Sequence, residues 1–210
     1  MADYTTVAQV KADMPDSALY TSADYDLALG EMITNASRLI DREVGGWPNY
    51  FYPTTDSATR YFDGSGEKEQ WIDPMISLTS VAVAESGGRA VTDYTTWTLD
   101  TDYFVWPYNY SAISQPIQQL IVDNIAGNKG KFNRSKKAVK VTGIFGYSTT
   151  PPEPIKQACK ITALRWFMRA KQGYQDTSAS VALGEMLYTQ SLDPDVKTLL
   201  APYKIGNLVM

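Results

Sequence analysis

The chain has 210 residues, which is enough for one domain or two small ones with a buried core. Hydrophobic residues make up 44% of it and charged residues 20%, as in a soluble globular protein, and no apolar run approaches the ~20 residues of a membrane span. The first 20 residues also lack the basic start and the apolar stretch of a secretory signal. The formal net charge of −4 argues against binding nucleic acid over the whole surface.

The N-terminal part of the chain predicts two helices. Thr5 or Thr6 can cap a short one, and a longer one opens near Ser22 and Asp24 and ends at Gly45. The buried face of the long helix is predicted from apolar residues at helical spacing, namely Leu29, Met32, Ile33, Ala36, Leu39, Ile40 and Val44. The charged residues Glu31, Arg38, Asp41 and Arg42 are expected mostly away from that face.

The central part changes to the period of β-strands. Short β-forming runs separated by turn residues occur at 59–62, 70–72, 77–84, 95–99, 103–106, 117–122 and 138–145. Between the first two, the sequence DGSGEKE predicts a hairpin turn, because Gly64 and Gly66 tolerate positive φ. Residues 51–148 are therefore expected to form an antiparallel β-sandwich or barrel-like region.

A second long helix follows Pro154 and is predicted to end at Gly173. Its apolar face contains Ile155, Ala158, Cys159, Thr162, Ala163, Trp166, Phe167 and Ala170. The simplest way to bury two one-sided helices is against each other. The predicted fold class is therefore α+β: residues 1–50 and 149–210 form a helical bundle domain, and the β region is inserted between them.

The C-terminal part is less regular. Residues 174–192 are polar and small and predict a loop or extended arm, within which Val181–Tyr188 fits either a strand or a helix. Asp193 and Pro194 predict the start of a last short helix. The tail at 203–210 ends apolar, with Ile205, Leu208, Val209 and Met210 as candidate partner-binding residues. Two interpretations stay open: the tail folds back on its own domain, or it adds to a neighbouring protein.

The residues that usually carry enzymatic chemistry are scarce. The chain has no histidine and one cysteine, Cys159, which lies on an apolar helix face. The Gly64–Gly66 turn is not followed by the residues of a phosphate-binding loop. The acidic pairs Asp100–Asp102 and Asp193–Asp195 are explained as turn and cap residues. No catalytic, metal-binding or cofactor-binding residue is therefore assigned.

Two clusters are candidates for binding. Trp97, Tyr103, Phe104, Trp106, Tyr108 and Tyr110 form an aromatic group that suits a strand core, a subunit interface or a sugar-binding platform. Lys129, Lys131, Arg134, Lys136 and Lys137 put five cations into nine residues without an acid, which leaves 14 basic against 23 acidic residues elsewhere. This basic cluster is either a solvated loop or a contact for DNA phosphates or an acidic partner protein.

The order of these segments resembles that of a known family. YTTVAQVKADM, ASRLIDREVGGW, TRYFDGSG with WIDPMISLTSVAV, VKVTGIFGYSTTPPEPIKQACKITALRWFMRAKQG and LDPDVKTLLAPYK follow one another over nearly the whole chain. In this order, and with the FGY-x-x-x-PPxPIKQA junction, the sequence is similar to the head-tail connector proteins of long-tailed bacteriophages, also called adaptor or head completion proteins. The large central β region and the long 174–192 arm depart from shorter members.

The resemblance implies a structural virion protein and no enzymatic activity. Its implied partners are further copies of itself, in a ring of about twelve, the portal protein, a tail-side stopper or tail terminator protein, and double-stranded DNA that passes through the channel without sequence-specific binding. The implied location is the neck of the virion, after synthesis in the host cytoplasm, with no membrane contact. An accessory virion module that binds a carbohydrate or a receptor is the alternative.

Overall fold

A computed structural model describes residues 2–14, 23–53, 55–84, 93–171, 177–179, 186–188 and 192–205. The chain divides into two compact units. A helical unit contains Met1–Asn49 and Pro151–Met210, and a sheet unit contains Tyr50–Thr150. The predicted α+β class is confirmed. No helix in the described part of the chain is long and apolar enough to cross a membrane.

The described residues of the helical unit form four α-helices. They are α1 (Val7–Ala12), α2 (Asp26–Glu43), α3 (Glu153–Lys171) and α4 (Pro194–Leu200), and a 3-10 turn, Ala201–Tyr203, follows α4. Helix α1 begins as its sequence predicts, because Thr6 and Gln9 form a capping box. The side chain of Asp193 caps α4 by accepting from the N–H of Asp195.

The two long helices pack against each other, as their apolar faces predict. The Ser37 hydroxyl of α2 lies 3.4 Å from the Cys159 sulfur of α3, and both residues are buried. Around this contact lie the buried side chains of Leu29, Ile33, Ala36, Ile40, Ile155, Ala158, Ala163 and Phe167. Trp166 is only half-buried, so Phe167 is the aromatic residue that α3 contributes to this core.

Asp41 lies inside the helical unit, so its expected outward position on α2 is wrong. Its side chain is 3% exposed and accepts a hydrogen bond from the Tyr4 hydroxyl. The N–H of Asn49 donates to its other oxygen at 3.0 Å, and the Arg38 Nε lies 3.3 Å from that oxygen. These partners compensate the desolvation of the carboxylate, which is why a charge can occupy a buried position on α2.

The sheet unit contains one antiparallel sheet of six strands. They are β1 (Ala58–Phe62), β2 (Glu69–Ala84), β3 (Tyr94–Trp97), β4 (Tyr103–Trp106), β5 (Ile117–Val122) and β6 (Val139–Phe145). The strand order is β1-β6-β2-β5-β4, and β3 also pairs with β2. Antiparallel pairing is confirmed, but the described strands do not close into the barrel that the sequence suggested.

The predicted hairpin at residues 63–69 is wrong. Strand β6 lies between β1 and β2, so the strands that this loop connects are not neighbours. The loop instead packs against residues 133–137: the N–H of Gly64 donates to the Ser135 carbonyl at 2.9 Å. A Cβ on Gly64 would lie 1.7 Å from the Asn133 oxygen, so this glycine permits a close approach of two loops.

Strand β2 is long and irregular, and its two ends meet the same loop. Its pairing register shifts between Trp71 and Met75, and again beyond Met75. The N–H of Phe132 donates to the carbonyl of Glu67, just before β2, and the Asn133 side chain donates to the carbonyl of Ala84, the last residue of β2. Such irregularities bend a strand, and here the bend lets one loop bind both ends of it.

The predicted arm contains a short hairpin. Strands β7 (Thr177–Ala179) and β8 (Met186–Tyr188) pair antiparallel, with Thr177 opposite Tyr188. For Val181–Tyr188 the sequence fitted either a strand or a helix. The last three of these residues form a strand, and the first five lie outside the described residues.

Candidate partner-binding surfaces

The predicted basic cluster lies in the long connection between β5 and β6, which we call the basic loop (residues 124–137). Phe132 anchors it from within, because this side chain is fully buried and stacks on Trp97 with ring centroids 5.0 Å apart. Together with the bonds to both ends of β2, this anchor fixes the backbone of the loop. The cations therefore project from a rigid base.

Asp63 pairs with one of the five cations, Lys136, and also accepts a bond from the backbone of Lys137. The Lys136 Nζ lies 2.5 Å from one carboxylate oxygen, and the N–H of Lys137 donates to the other at 2.9 Å. The side-chain hydrogen bond from Lys136, followed by the backbone bond from Lys137, lowers the pKa of Asp63 below its usual 3.8. This acid lies on a different loop, so sequence spacing did not reveal it.

Within the described residues, the charged groups of the other four cations pair with no acid. The Lys129 Nζ lies 5.9 Å from the centre of the Trp97 ring and is half-buried. Lys131, Arg134 and Lys137 are exposed, and within the described residues none of them forms an ion pair. The basic loop therefore presents these three charges to a partner, with Lys131 and Arg134 on either side of the buried Phe132.

The predicted aromatic group does not form one platform. Trp97 and Tyr103 belong to the core, at 6% and 2% exposure, whereas Trp106 and Tyr108 are 38% and 62% exposed. Trp71, which was not among the predicted residues, is 45% exposed and meets Trp106 edge-to-face with ring centroids 6.4 Å apart. Hydrophobic alternation did not reveal it, since of its two buried neighbours Gln70 is polar and Ile72 is apolar.

Strand pairing sets the exposed aromatic residues on one side of the sheet. Trp71 and Trp106 both pair with Gln119, so these three side chains form one row. Glu69 and Phe104 both pair with Ile121 in the next row. We call the set Glu69, Trp71, Phe104, Trp106, Tyr108, Gln119 and Ile121 the aromatic face; Tyr108 joins it through an edge-to-face contact with Phe104.

One carboxylate is held in place on the aromatic face. The Gln119 side chain is 5% exposed, and its amide nitrogen donates to the Glu69 Oε2 at 2.8 Å. Glu69 itself is exposed. Gln119 therefore positions the negative charge of Glu69 beside the two tryptophan rings.

The described part of the C-terminal tail lies against the end of α2. The N–H of Ile205 donates to the Val44 carbonyl at 2.8 Å, and the Ile205 Cβ lies 3.8 Å from the point that a Cβ on Gly45 would occupy. Gly45 has φ +81°, which ends α2 as predicted. Leu208, Val209 and Met210 lie outside the described residues, so docking of the tail stays a prediction.

The remaining reactive groups serve local structure. Asp100 lies in a turn with φ +62°, and the Asp102 carboxylate accepts from the N–H of Thr98 at 2.8 Å. Burial raises the pKa of the Cys159 thiol to about 11, which keeps it protonated. In the part of the chain that the structure describes, no three metal-ligating side chains come together.

Comparisons with known proteins show similarity at the level of structure. No family model matches the sequence, and no curated protein matches it. A chain from the neck of an empty gene transfer agent particle, computed with C6 symmetry, is 11% identical with a TM-score of 0.50, over 93% of this chain and 85% of that one.

A second similar chain comes from the virion of a native gene transfer agent particle, at 14% identity and a TM-score of 0.50 over 94% of this chain and 87% of that one. A third, from the neck of a native particle computed with C12 symmetry, has 12% identity and a TM-score of 0.47, over 85% of this chain and 82% of that one. The first two establish that this chain has the fold of chains in the neck and virion of gene transfer agent particles.

Proposed function

We propose that this protein is a structural component of the neck of a phage-like particle. In this role it forms a head-tail connector ring beneath the portal and continues the DNA channel toward the tail. The observation that carries the proposal is the shared fold, which extends over 93% of this chain and is found in a particle neck computed with C6 symmetry. A ring of identical subunits requires each copy to contact two others through different surfaces.

The charge of the chain suits such a channel. DNA must slide through a connector, and a protein that neutralised many phosphates would hold it instead. The net charge is −4, and the basic loop is the densest local excess of positive charge. The proposed ring therefore guides DNA by shape and repulsion rather than by binding.

The test is removal of the protein from the particle. Without it, assembly should yield DNA-filled heads and free tails that do not join, and supplying the intact chain should restore joining. Labelled protein should appear between head and tail by electron microscopy. Normal yields of tailed particles without the chain, or label only at the distal tail, would contradict the proposal.

The C-terminal tail is the proposed portal contact. Ile205 is fixed against the end of α2, so the apolar residues that follow start from a defined point of the helical unit. We expect deletion of residues 206–210 to leave the fold intact and to abolish attachment to portal-bearing heads. The matched control replaces the same five residues by Gly-Ser repeats of equal length, and it should also fail to attach. Wild-type co-sedimentation of either variant would refute portal docking by the tail.

The exposed pair Trp71 and Trp106 favours one second candidate, a carbohydrate- or receptor-binding module of the virion. Aromatic rings stack on the apolar faces of sugars, and Glu69 and Gln119 supply polar groups beside them. Binding to a glycan array that is lost in Trp71→Ala, together with normal joining of heads to tails, would support this candidate over the connector.

A further inference from the structure

The aromatic face has the electrostatic character of a surface that receives a cation. The faces of indole rings carry partial negative charge, and tryptophan is the strongest aromatic partner for a cation. Trp71 and Trp106 stand at 73° to one another, so they form two walls of a corner. Glu69, held by Gln119 in the neighbouring row, adds a full negative charge beside it.

No part of the described chain places a cation over these two rings. The cation–π contacts of the sheet unit instead involve Phe145, Trp97 and Tyr94. A corner of two partly exposed tryptophans beside an exposed acid is unusual on a surface that only faces water, because such residues are concentrated at protein interfaces.

The same unit carries cations of the matching kind. Lys131 and Arg134 are exposed and form no ion pair within the described residues, and the buried Phe132 between them fixes their backbone. Arginine is suited to this role, since its planar guanidinium stacks on aromatic rings and pairs with carboxylates at once. A rigid loop also loses little conformational entropy when it binds.

We infer that the aromatic face of one copy of this chain receives the basic loop of a second copy, with Arg134 and Lys131 over Trp71 and Trp106 and beside Glu69. The two surfaces share no residue, so each copy uses a different surface toward each of its two neighbours. Contacts of this head-to-tail type close into rings or extend as filaments. The inference rests on the proposed connector ring and names the surfaces that hold neighbouring subunits together.

The size of the aromatic face fits the centre of a larger contact. A fully buried aromatic side chain covers 150–250 Å², so four partly exposed ones offer about 300–400 Å². A stable interface needs about 800 Å² from each partner. This contact alone is therefore weak between two copies in solution, and it gains strength when a closed ring makes every copy bind twice.

The experiment compares assembly of charge-reversed chains. Full-length protein is measured by native mass spectrometry and sedimentation over a concentration series, up to its solubility limit. Lys131→Glu with Arg134→Glu should raise the concentration needed for half-assembly by about tenfold or more, and Glu69→Lys should do the same. The matched control is Lys197→Glu, an exposed cation of α4 in the helical unit, which should assemble like the wild type.

The decisive experiment mixes two variants, each of which lacks one of the two surfaces. A chain with the loop reversals keeps an intact aromatic face, and a chain with Trp71→Ala and Trp106→Ala keeps an intact basic loop. At the concentration that half-assembles the wild type, each alone should stay monomeric. Toward the upper end of the concentration series, where a single contact suffices, the mixture should contain complexes of one copy of each that neither variant forms alone. Joining Glu69→Lys and Arg134→Glu in one chain should restore part of the lost assembly, because the charge pair forms again with its signs exchanged although the cation–π contact does not. If the tryptophan variant fails to fold, the charge exchange decides the question by itself.

Three outcomes would overturn the inference. They are a wild type that stays monomeric at every concentration, loop and face variants that assemble like the wild type, and loop variants that lose binding to double-stranded DNA while their assembly is unchanged. The last would assign the basic loop to DNA instead. All three leave the position of the protein in the particle neck to be decided by the removal experiment, so the failures of the two proposals are distinguishable.

Discussion

Replacing Asp41 by alanine should destabilise the helical unit by about 3 to 5 kcal/mol. The carboxylate is 3% exposed and holds the Tyr4 hydroxyl, the N–H of Asn49 and the Arg38 guanidinium. Each hydrogen bond to a charged group contributes about 1.5 to 3 kcal/mol, and alanine would leave its donor without this acceptor. Because a whole domain is stable by about 5 to 15 kcal/mol, the loss is a large fraction of the total.

Urea denaturation followed by helical circular dichroism measures this loss. Asp41→Asn should fall between the wild type and Asp41→Ala, since the amide keeps one acceptor oxygen and loses the charge. Glu43→Ala, at an exposed position of the same helix, should change the free energy of unfolding by less than about 0.5 kcal/mol. A loss below about 1 kcal/mol for Asp41→Ala would refute the view that this carboxylate organises the end of α2.

Two further predictions concern the sheet unit. Gly64→Ala should destabilise it by about 2 kcal/mol or more, because the new Cβ would meet the Asn133 oxygen, whereas Gly130→Ala, with open space around it, should be nearly neutral in the same melts. Asp63 should titrate below 3.8 by NMR, and Lys136→Met should raise the pKa of Asp63. The ionised Asp63 carboxylate stabilises the fold above the pKa that it has in the unfolded chain, and this stabilisation is lost as the pH falls through the lower pKa of the folded state. Equal melts for the two glycine variants, or an unchanged Asp63 titration, would contradict these assignments.

The helices could be predicted from the sequence because their signals are local. Caps, apolar spacing and terminating glycines lie within a few residues of one another, so α1, α2, α3 and α4 were all expected. Errors occurred where a distant residue decides the outcome. Asp41 is buried because Tyr4 and Asn49 meet it, and Trp166 is half-buried although its spacing matches that of the buried Phe167.

The sheet illustrates the same limit on a larger scale. The strands were expected from their β-forming residues, but strand order depends on which segments meet, and no local pattern shows that β6 separates β1 from β2. The glycines that suggested a hairpin at residues 63–69 are required instead by the approach of Gly64 to Asn133. Similarly, the aromatic group divided between core and surface, because alternate residues of a strand face opposite sides.

Only part of the candidate site could be predicted from the sequence, for a related reason. The basic loop is contiguous in sequence and could therefore be predicted. Its contacts with Asp63 and Trp97, which are distant in the chain, decide which of its cations remain available to a partner. Five positive charges in nine residues repel one another, and within the described residues Asp63 offsets the charge of Lys136 alone. The fold nevertheless fixes the loop through Phe132 and so maintains the repulsion. A negatively charged partner would relieve this repulsion, which is the physical reason to expect that Lys131 and Arg134 bind one.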